Sequence, residues 1–467
     1  MNTKPAPAPT LTFKEGLLWS AVALASFHLA YSFASCAFLI AVCLFALLQL
    51  SRVRTSRIAF YTGLGVGLSI YGPKLLFFWT VFGPSAIALW LVLAFWLGVF
   101  LVLVRFCRER FGERWVMLAA PVVWTGLEYF RSELYYLRFT WLNAGYAFAW
   151  SPALPAVKWL GMYGVGCVLM ALAAGVFQLR SKPRLLVGLF MLNLLRVATK
   201  FDLPFEPHSP TIARTIHVAG VQLEFPGELE VLDALQKLHR AHPEAELLVL
   251  SEYTFTEGPV PERVRNWCRT NRLHLVVGRK DELPGGAFRN TVIVIGPGGD
   301  IVFKQAKMQP IQFFKDGLPA LEQRVWESPW GKLGIGICYD LSYTRIVDGL
   351  VRLGAQAILA PTMDVADWGE AQHLLHARVA PLRAAEHGLP IFRLASSGIS
   401  QFVDARGVVR ASAPFPGEGS MLAAELRLVD KGTRPLDRML APVCTALTAL
   451  LAAGMALLAA KKKFSRS

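Results

Sequence analysis

Apolar residues crowd two parts of this chain. They fill the first 200 positions in runs separated by short polar stretches, and they return in one run from 439 to 460. Between these parts, 201–438 has the mixed spacing of ordinary globular sequence. The runs lie near 16–31, 33–50, 58–80, 84–104, 115–131, 155–178, 184–198 and 439–460. Most approach the roughly 20 residues that a helix needs to cross a bilayer. They predict an α-helical membrane bundle with about eight transmembrane helices. For 16–50 the alternative is a hydrophobic hairpin dipping in from one face. The expected organisation is a bundle over 1–200, a globular domain over 201–438, and a last transmembrane helix with a basic tail over 439–467.

The globular part alternates two periodicities. Val218 to Leu223 and Leu247 to Leu250 read as strands, with a helix over 228–240 between them and another over 261–270. His274 to Gly278 is a further strand. Asn290 to Ile295 and Ile301 to Lys304 flank Gly296-Pro297-Gly298-Gly299-Asp300, a hairpin signal. A helix over 343–353, a strand from Ala357 to Ala360, a long helix near 369–387 and strands around 391–395, 401–404 and 408–412 complete the pattern. Strands and helices in this order predict a layered α/β domain.

Composition supports the membrane reading. Apolar types make up 54% of the chain and charged types 17%. Basic residues follow every second span: Arg52, Arg54 and Arg57; Arg105, Arg108, Arg110 and Arg114; Arg180, Lys182 and Arg184; Lys461, Lys462, Lys463 and Arg466. This alternation predicts both termini in the cytoplasm and the globular domain on the outer side. Lys4 and Lys14 precede an apolar run that lacks a small-residue cleavage site, so no cleavable signal is expected. The net charge of +15 is accounted for by loops facing anionic lipid, and no nucleic-acid partner is expected.

Candidate chemistry centres on Cys338. It ends the apolar run Gly334-Ile335-Gly336-Ile337 and is followed at once by Tyr339-Asp340. Such a strand delivers a thiol to the mouth of a turn, and the nearby helix start favours thiolate, the nucleophilic form. The competing reading is a buried structural cysteine. Of the seven cysteines, Cys36, Cys43, Cys167 and Cys444 fall in apolar spans and Cys107 in a loop. A Cys268–Cys338 disulfide is disfavoured, because Cys268 lies in a helical pattern far from the Cys338 context. Two further polar residues stand just past apolar runs: Glu252 after Leu247-Leu248-Val249-Leu250-Ser251, and Lys307 after the hairpin. Singly, each reads as a solvated loop residue. Together the three supply a nucleophile, a base and a cation for an oxyanion. His373 and His376, three apart on a helix, admit a metal or a Cys–His protease reading; with no third ligand in the sequence, no metal or other cofactor is expected.

These motifs resemble the nitrilase (carbon–nitrogen hydrolase) superfamily, whose Glu, Lys and Cys occur in this chain order. The whole arrangement resembles the apolipoprotein N-acyltransferase family, with a nitrilase domain between a membrane bundle and a last helix. Trp124…Glu128…Arg131 followed by Thr140-Trp141-Leu142-Asn143-Ala144-Gly145-Tyr146 is similar to that family's membrane part. Asp364…Trp368…His373…Arg378…Arg383-Ala384…Glu386…Pro390…Arg393…Gly398-Ile399-Ser400 is similar to its segment after the cysteine. Aligning on Phe313 selects Lys307, with Lys304 as competitor. The family's second glutamate then falls on Lys315, with Asp316 beside it, and Asp340 stands where the family has glutamate.

The resemblance implies an α-β-β-α sandwich and a bacterial inner-membrane acyltransferase, taken as a monomer. Glu252 would take the proton of Cys338, which attacks an acyl ester of a phospholipid. Lys307 and a backbone N–H near Tyr339 would hold the oxyanion, with Asp340 and Asp316 supporting. The thioester would pass its acyl chain to the α-amino group of a diacylglyceryl-cysteine on an apolipoprotein. Phe313, Phe314, Trp326, Trp330 and Trp368 are expected on loops around the site, as a lid dipping into membrane lipid or as core aromatics. A membrane-anchored amidase using water, and a non-catalytic lipid- or lipoprotein-binding relative, are the alternatives.

Overall fold

Thr12 and Thr55 begin the first and third helices of the chain by accepting N–H groups of the opening turn with their hydroxyls, which satisfies donors that a bare helix end leaves open. The computed structural model describes residues 10–151, 154–178 and 212–464. Its contacts divide the chain into two units: Met1–Phe205 with Pro435–Ser467, and Glu206–Arg434.

The first unit is helical: α1 (Phe13–Ser32), α2 (Leu39–Leu50), α3 (Ser56–Lys74), α4 (Phe77–Phe82), α5 (Ser85–Phe111), α6 (Glu113–Tyr129) and α7 (Val157–Gln178). The last helix, Asp437–Phe464, belongs to the same unit. Among the described residues three helices are long and apolar enough to cross a membrane: Ser85–Phe111, Val157–Phe177 and Asp437–Lys461. The others fall short of that length or apolarity, so eight crossings are not established. The run at 184–198 lies outside the described residues. The run at 58–80 is not one helix. Leu75 leaves helical dihedrals after Pro73, and α4 starts anew. The last helix docks on α6 through two hydroxyls. Thr445 Oγ1 donates to Gly126 O at 3.1 Å and Thr448 Oγ1 to Val122 O at 3.2 Å. A Cβ on Gly126 would stand 2.4 Å from the Thr448 hydroxyl, so only glycine permits this approach.

The second unit holds two six-stranded sheets. The first has the order β12-β1-β2-β3-β4-β5, with β1 Ile212–Val221, β2 Leu247–Val249, β3 His274–Glu282, β4 Phe288–Ile295, β5 Ile301–Ala306 and β12 Met421–Val429. The second runs β11-β10-β9-β8-β7-β6, with β6 Val325–Ser328, β7 Gly331–Ile335, β8 Ala357–Thr362, β9 Ile391–Ala395, β10 Ser400–Val403 and β11 Val409–Ala413. Val218, Val249, Val276 and Val294 of the first sheet pack on Ile335, Leu359, Phe392 and Leu394 of the second. The opposite face of the first sheet, with Ala219, Leu248, Leu275 and Ile293, buries Val231, Leu235, Leu238, Val264 and Cys268 of α8 (Glu228–Ala241) and α9 (Glu262–Asn271). Three more helices, α10 (Thr344–Arg352), α11 (Glu370–His376) and α12 (Val379–His387), lie with the second sheet. The result is a nitrilase-like α/β fold with strands buried on both faces.

Two expectations need correction. The helix near 369–387 is divided between α11 and α12 around Ala377-Arg378; Pro381, in the first turn of α12, has no N–H to bond back across the junction. Of the two alternatives for Trp326 and Trp330, the loop lid around the site fails and the core aromatic holds. Both are buried in the core between the sheets, where each ring packs against His274 and Trp330 Nε1 donates to Glu246 at 3.0 Å.

Candidate active site

Three strand ends converge at one place. After β2 the chain turns through Glu252 and Tyr253, with Tyr253 in the left-handed region at φ 57°. A Cβ on Gly278 of β3 would lie 2.6 Å from Glu252 Cα, so glycine there lets β3 press against this turn. Lys307 follows β5 directly and is anchored by its N–H to Asn290 O at 2.8 Å. Cys338 opens a short 3₁₀ turn, Cys338–Ser342, three residues past the end of β7, and itself has φ 49°. A positive φ at a residue other than glycine is unfavourable and persists only where surrounding packing holds it.

The side chains meet in a buried cluster. Lys307 Nζ lies 2.8 Å from Glu252 Oε1 and 2.7 Å from Asp316 Oδ2, and all three groups are at least 95% buried. One ammonium faces two carboxylates, so the trio carries an excess negative charge. Hydrogen-bond donors compensate it. Asn290 Nδ2 donates to Glu252 Oε1 at 2.5 Å and to Asp316 Oδ1 at 2.8 Å. Tyr253 OH and Ile311 N–H donate to Asp316 at 2.8 and 2.7 Å. Met363 N–H donates to Glu252 Oε2 at 2.7 Å, while the Met363 carbonyl accepts from Cys338 Sγ at 3.6 Å.

The charges set the protonation order. Burial pushes the Glu252 carboxyl up from its ordinary value, and the negative Asp316 adds to this against the opposing pull of Lys307. For Asp316 burial acts the same way, but Lys307 and the donors from Ile311 and Asn290 outweigh it and hold the carboxyl down. Burial alone would depress the Lys307 ammonium; Asp316 and Glu252 instead hold it well above the ordinary lysine range. Burial, then the charge of Glu252, raises the Cys338 thiol well above its ordinary value, with Lys307 opposing. The helix start at Thr344 does not make it a thiolate: the resting thiol is protonated and needs a base.

Asp340 ties the loops together. Its carboxylate accepts Gln309 N–H at 2.7 Å and Met308 and Ile337 N–H at 3.2 Å each, linking the Lys307 loop to the cysteine turn. Burial pushes this carboxyl up to about 6. Tyr339 packs edge-on against Tyr343. The two lysines of the hairpin region are distinguished by burial. Lys304 is 45% exposed and faces Asp281, whereas Lys307 is enclosed. Lys315 is exposed while its neighbour Asp316 points into the cluster. Phe313 and Phe314 are exposed on the following loop, and Phe314 stands 5.9 Å from the Trp368 ring. His376 makes the short contact with Asp364, 2.7 Å, while His373 packs on Phe415.

The N-terminal domain model of apolipoprotein N-acyltransferase matches residues 18–175, and the carbon–nitrogen hydrolase model matches residues 236–432. The chain belongs to the apolipoprotein N-acyltransferase family. It is 25% identical to the apolipoprotein N-acyltransferase of Shewanella oneidensis, over 74% of this chain and 76% of that one. To the enzyme of that name from Geobacter metallireducens it is 24% identical, over 80% of this chain and 82% of that one. A deaminated glutathione amidase of Dictyostelium discoideum is 30% identical over 35% of this chain and 64% of its own. Membership in this acyltransferase family makes the chain an enzyme of the carbon–nitrogen hydrolase superfamily, and lipoprotein N-acylation is its activity at the level of the family.

Sequence reasoning left three members of this buried cluster unassigned: Tyr253, Asn290 and Met363. Asn290 carries little signal, since it stands between Arg289 and Thr291 in the polar start of β4. Met363 carries none, because its backbone alone makes the contacts.

Proposed function

We propose that this enzyme moves a fatty acyl chain from a phospholipid to the α-amino group of a diacylglyceryl-cysteine on an apolipoprotein, by way of a Cys338 thioester. The observation that carries the reading is a buried thiol bridged through Met363 to a carboxylate, in a chain whose residues 18–175 match the N-terminal domain model of this family. Glu252 takes the Sγ proton as sulfur attacks the ester carbonyl carbon. Two of the three Lys307 Nζ protons serve Glu252 and Asp316, which leaves a third to meet the oxyanion. As the C–O bond breaks, Glu252 returns the proton to the departing oxygen and a lysophospholipid leaves. The neutral amine then attacks the thioester carbon. Glu252 takes a proton from the nitrogen and delivers it to sulfur as the C–S bond breaks, which restores the thiol. The exposed Phe313 and Phe314, with Trp368 beside them, suit contact with acyl chains. The proposed setting is the bacterial inner membrane with the catalytic unit on the outer side.

The test is intact-protein mass spectrometry of the purified enzyme after incubation with phospholipid in detergent, beside Cys338→Ala. An acyl-sized increase on the wild type alone, released by hydroxylamine and by a diacylglyceryl peptide, is the expected result. Release by water as fast as by the peptide would support the amidase reading, and no adduct on folded protein would sink the thioester.

A further inference from the structure

A second buried cluster begins one residue past Met363, whose peptide groups contact Cys338 and Glu252. Asp364 follows Met363 just past the end of β8, and both of its peptide groups are held by one hydroxyl. Asp364 N–H donates to Ser396 Oγ at 3.0 Å, and the same hydroxyl donates back to Asp364 O at 3.0 Å. The Asp364 carboxylate is fully buried. It accepts His376 Nδ1 at 2.7 Å and Gln372 Nε2 at 3.1 Å, both from α11, and the Arg393 guanidinium from β9. Arg393 is itself buried and also donates to Ile399 O. Three segments therefore fix residue 364 through its amide, its carbonyl and both carboxylate oxygens.

This investment is larger than a strand end requires. A buried carboxylate with a buried guanidinium gives at best modest net stability, since both charges leave water. What the cluster does fix is the residue before it. Met363 uses its N–H on Glu252 and its carbonyl on Cys338, so any rotation of the 363–364 segment moves nucleophile and base contacts together.

We infer that Ser396 and Asp364, with Arg393, are positioning residues that lock the Met363 peptide groups as a strap keeping Cys338 and Glu252 in register. Misplacement of reacting groups by a fraction of an ångström to an ångström is costly in rate, which is why a rigid support behind the site matters. Asp364 also lies within electrostatic reach of the thiol and, with Glu252, disfavours the thiolate against the pull of Lys307. The strap rests on Cys338 being the nucleophile of the proposed reaction, but it can be read without any acyl substrate.

The experiment is the pH profile of iodoacetamide alkylation of Cys338 in the full-length enzyme, for wild type, Ser396→Ala and Gln222→Met. Gln222 is the matched control: its side chain donates to Gly398 O at 2.9 Å in the same loop region but holds neither peptide group of Asp364. Melting temperatures are recorded for all three. Ser396→Ala is expected to slow alkylation at pH 7 on the order of tenfold and to move the profile toward higher pH, as the base loses its register with the thiol. Gln222→Met is expected to leave the profile in place at a comparable loss of melting temperature. Equal displacement by both variants would reduce the cluster to ordinary packing, and an unmoved profile in Ser396→Ala would remove the strap. Normal alkylation behaviour in a wild type that forms no acyl adduct would count against the acyl-transfer reading and leave the strap standing.

Discussion

Glu252 and Asp316 share the Lys307 ammonium, and their surroundings push their protonation in opposite directions. Asp316 is held ionised by Lys307, Asn290, Tyr253 and Ile311; Glu252, deeper and beside the negative Asp316, is the easier of the two to protonate. Carboxyl pairs separated in this way divide their labour, one staying a fixed charge and the other moving a proton. Glu252→Gln should therefore leave a folded protein, because Lys307 keeps Asp316 as its counter-ion. Its acyl-transfer kcat should fall by about 10²–10⁴-fold. As the proposed base Glu252 works only when ionised, so the wild-type rate should rise with pH through a pKa above the ordinary glutamate value, and the variant should lack that acid limb. A steady-state pH profile of both proteins checks this; an unchanged limb in the variant would assign the titration to another group. At this scale the sequence made the reacting types legible and not their partners. Glu252, Lys307 and Cys338 stand out because each stands just past a predicted strand. Asp316 and Lys315 are adjacent and equally polar, and only the turn of the loop decides which one faces inward.

Elements were legible where the local chain dictates them. The hairpin of β4 and β5 is written in Gly296-Pro297-Gly298-Gly299-Asp300, and α8 in its amphipathic spacing. Strands β6 and β12 are not evident from local sequence: β6 is only four residues long, and the pairing of β12 is long-range, against β1 about 200 residues earlier in the chain. For Trp326 and Trp330 the sequence leaves lid and core aromatics both open for the same reason, and the core holds. Unassigned strands leave their side chains without a core to enter. The membrane unit offers a direct check on packing between elements. Gly126→Val would drive a branched side chain into Thr448 Oγ1 and Cys444 O and force the last helix off α6. A loss of about 1–3 kcal/mol is expected, read as a lower melting temperature in detergent. Gly126→Ala should fall between the variant and the wild type, and equal stability of all three would mean that the close approach carries no energy.

For the whole molecule the charge alternation along the chain argues for an outer catalytic unit and inner termini. Leu321 is 87% exposed in that unit, so a cysteine placed there is accessible to reagents. In intact spheroplasts a membrane-impermeant maleimide should label Leu321→Cys above the background of the parent protein, without permeabilisation. Labelling that appears only after permeabilisation would invert the proposed orientation.

The sequence by itself determined what depends on neighbours along the chain: the crowding of apolar residues into helical runs, the alternation of strand and helix in the globular part, and a thiol, a carboxylate and an ammonium each set just past an apolar run. Only the tertiary structure decided what depends on groups meeting across the sheets. It buried Lys307 and left Lys304 exposed, turned Asp316 inward, sent Trp326 and Trp330 into the core, and kept the Cys338 thiol protonated. The physical reason is that desolvation and Coulomb interaction act through space. Several of the contacts that set them join residues 30 to more than 100 positions apart, as Asp340 with Gln309, Lys307 with Glu252 and Met363 with Glu252 illustrate.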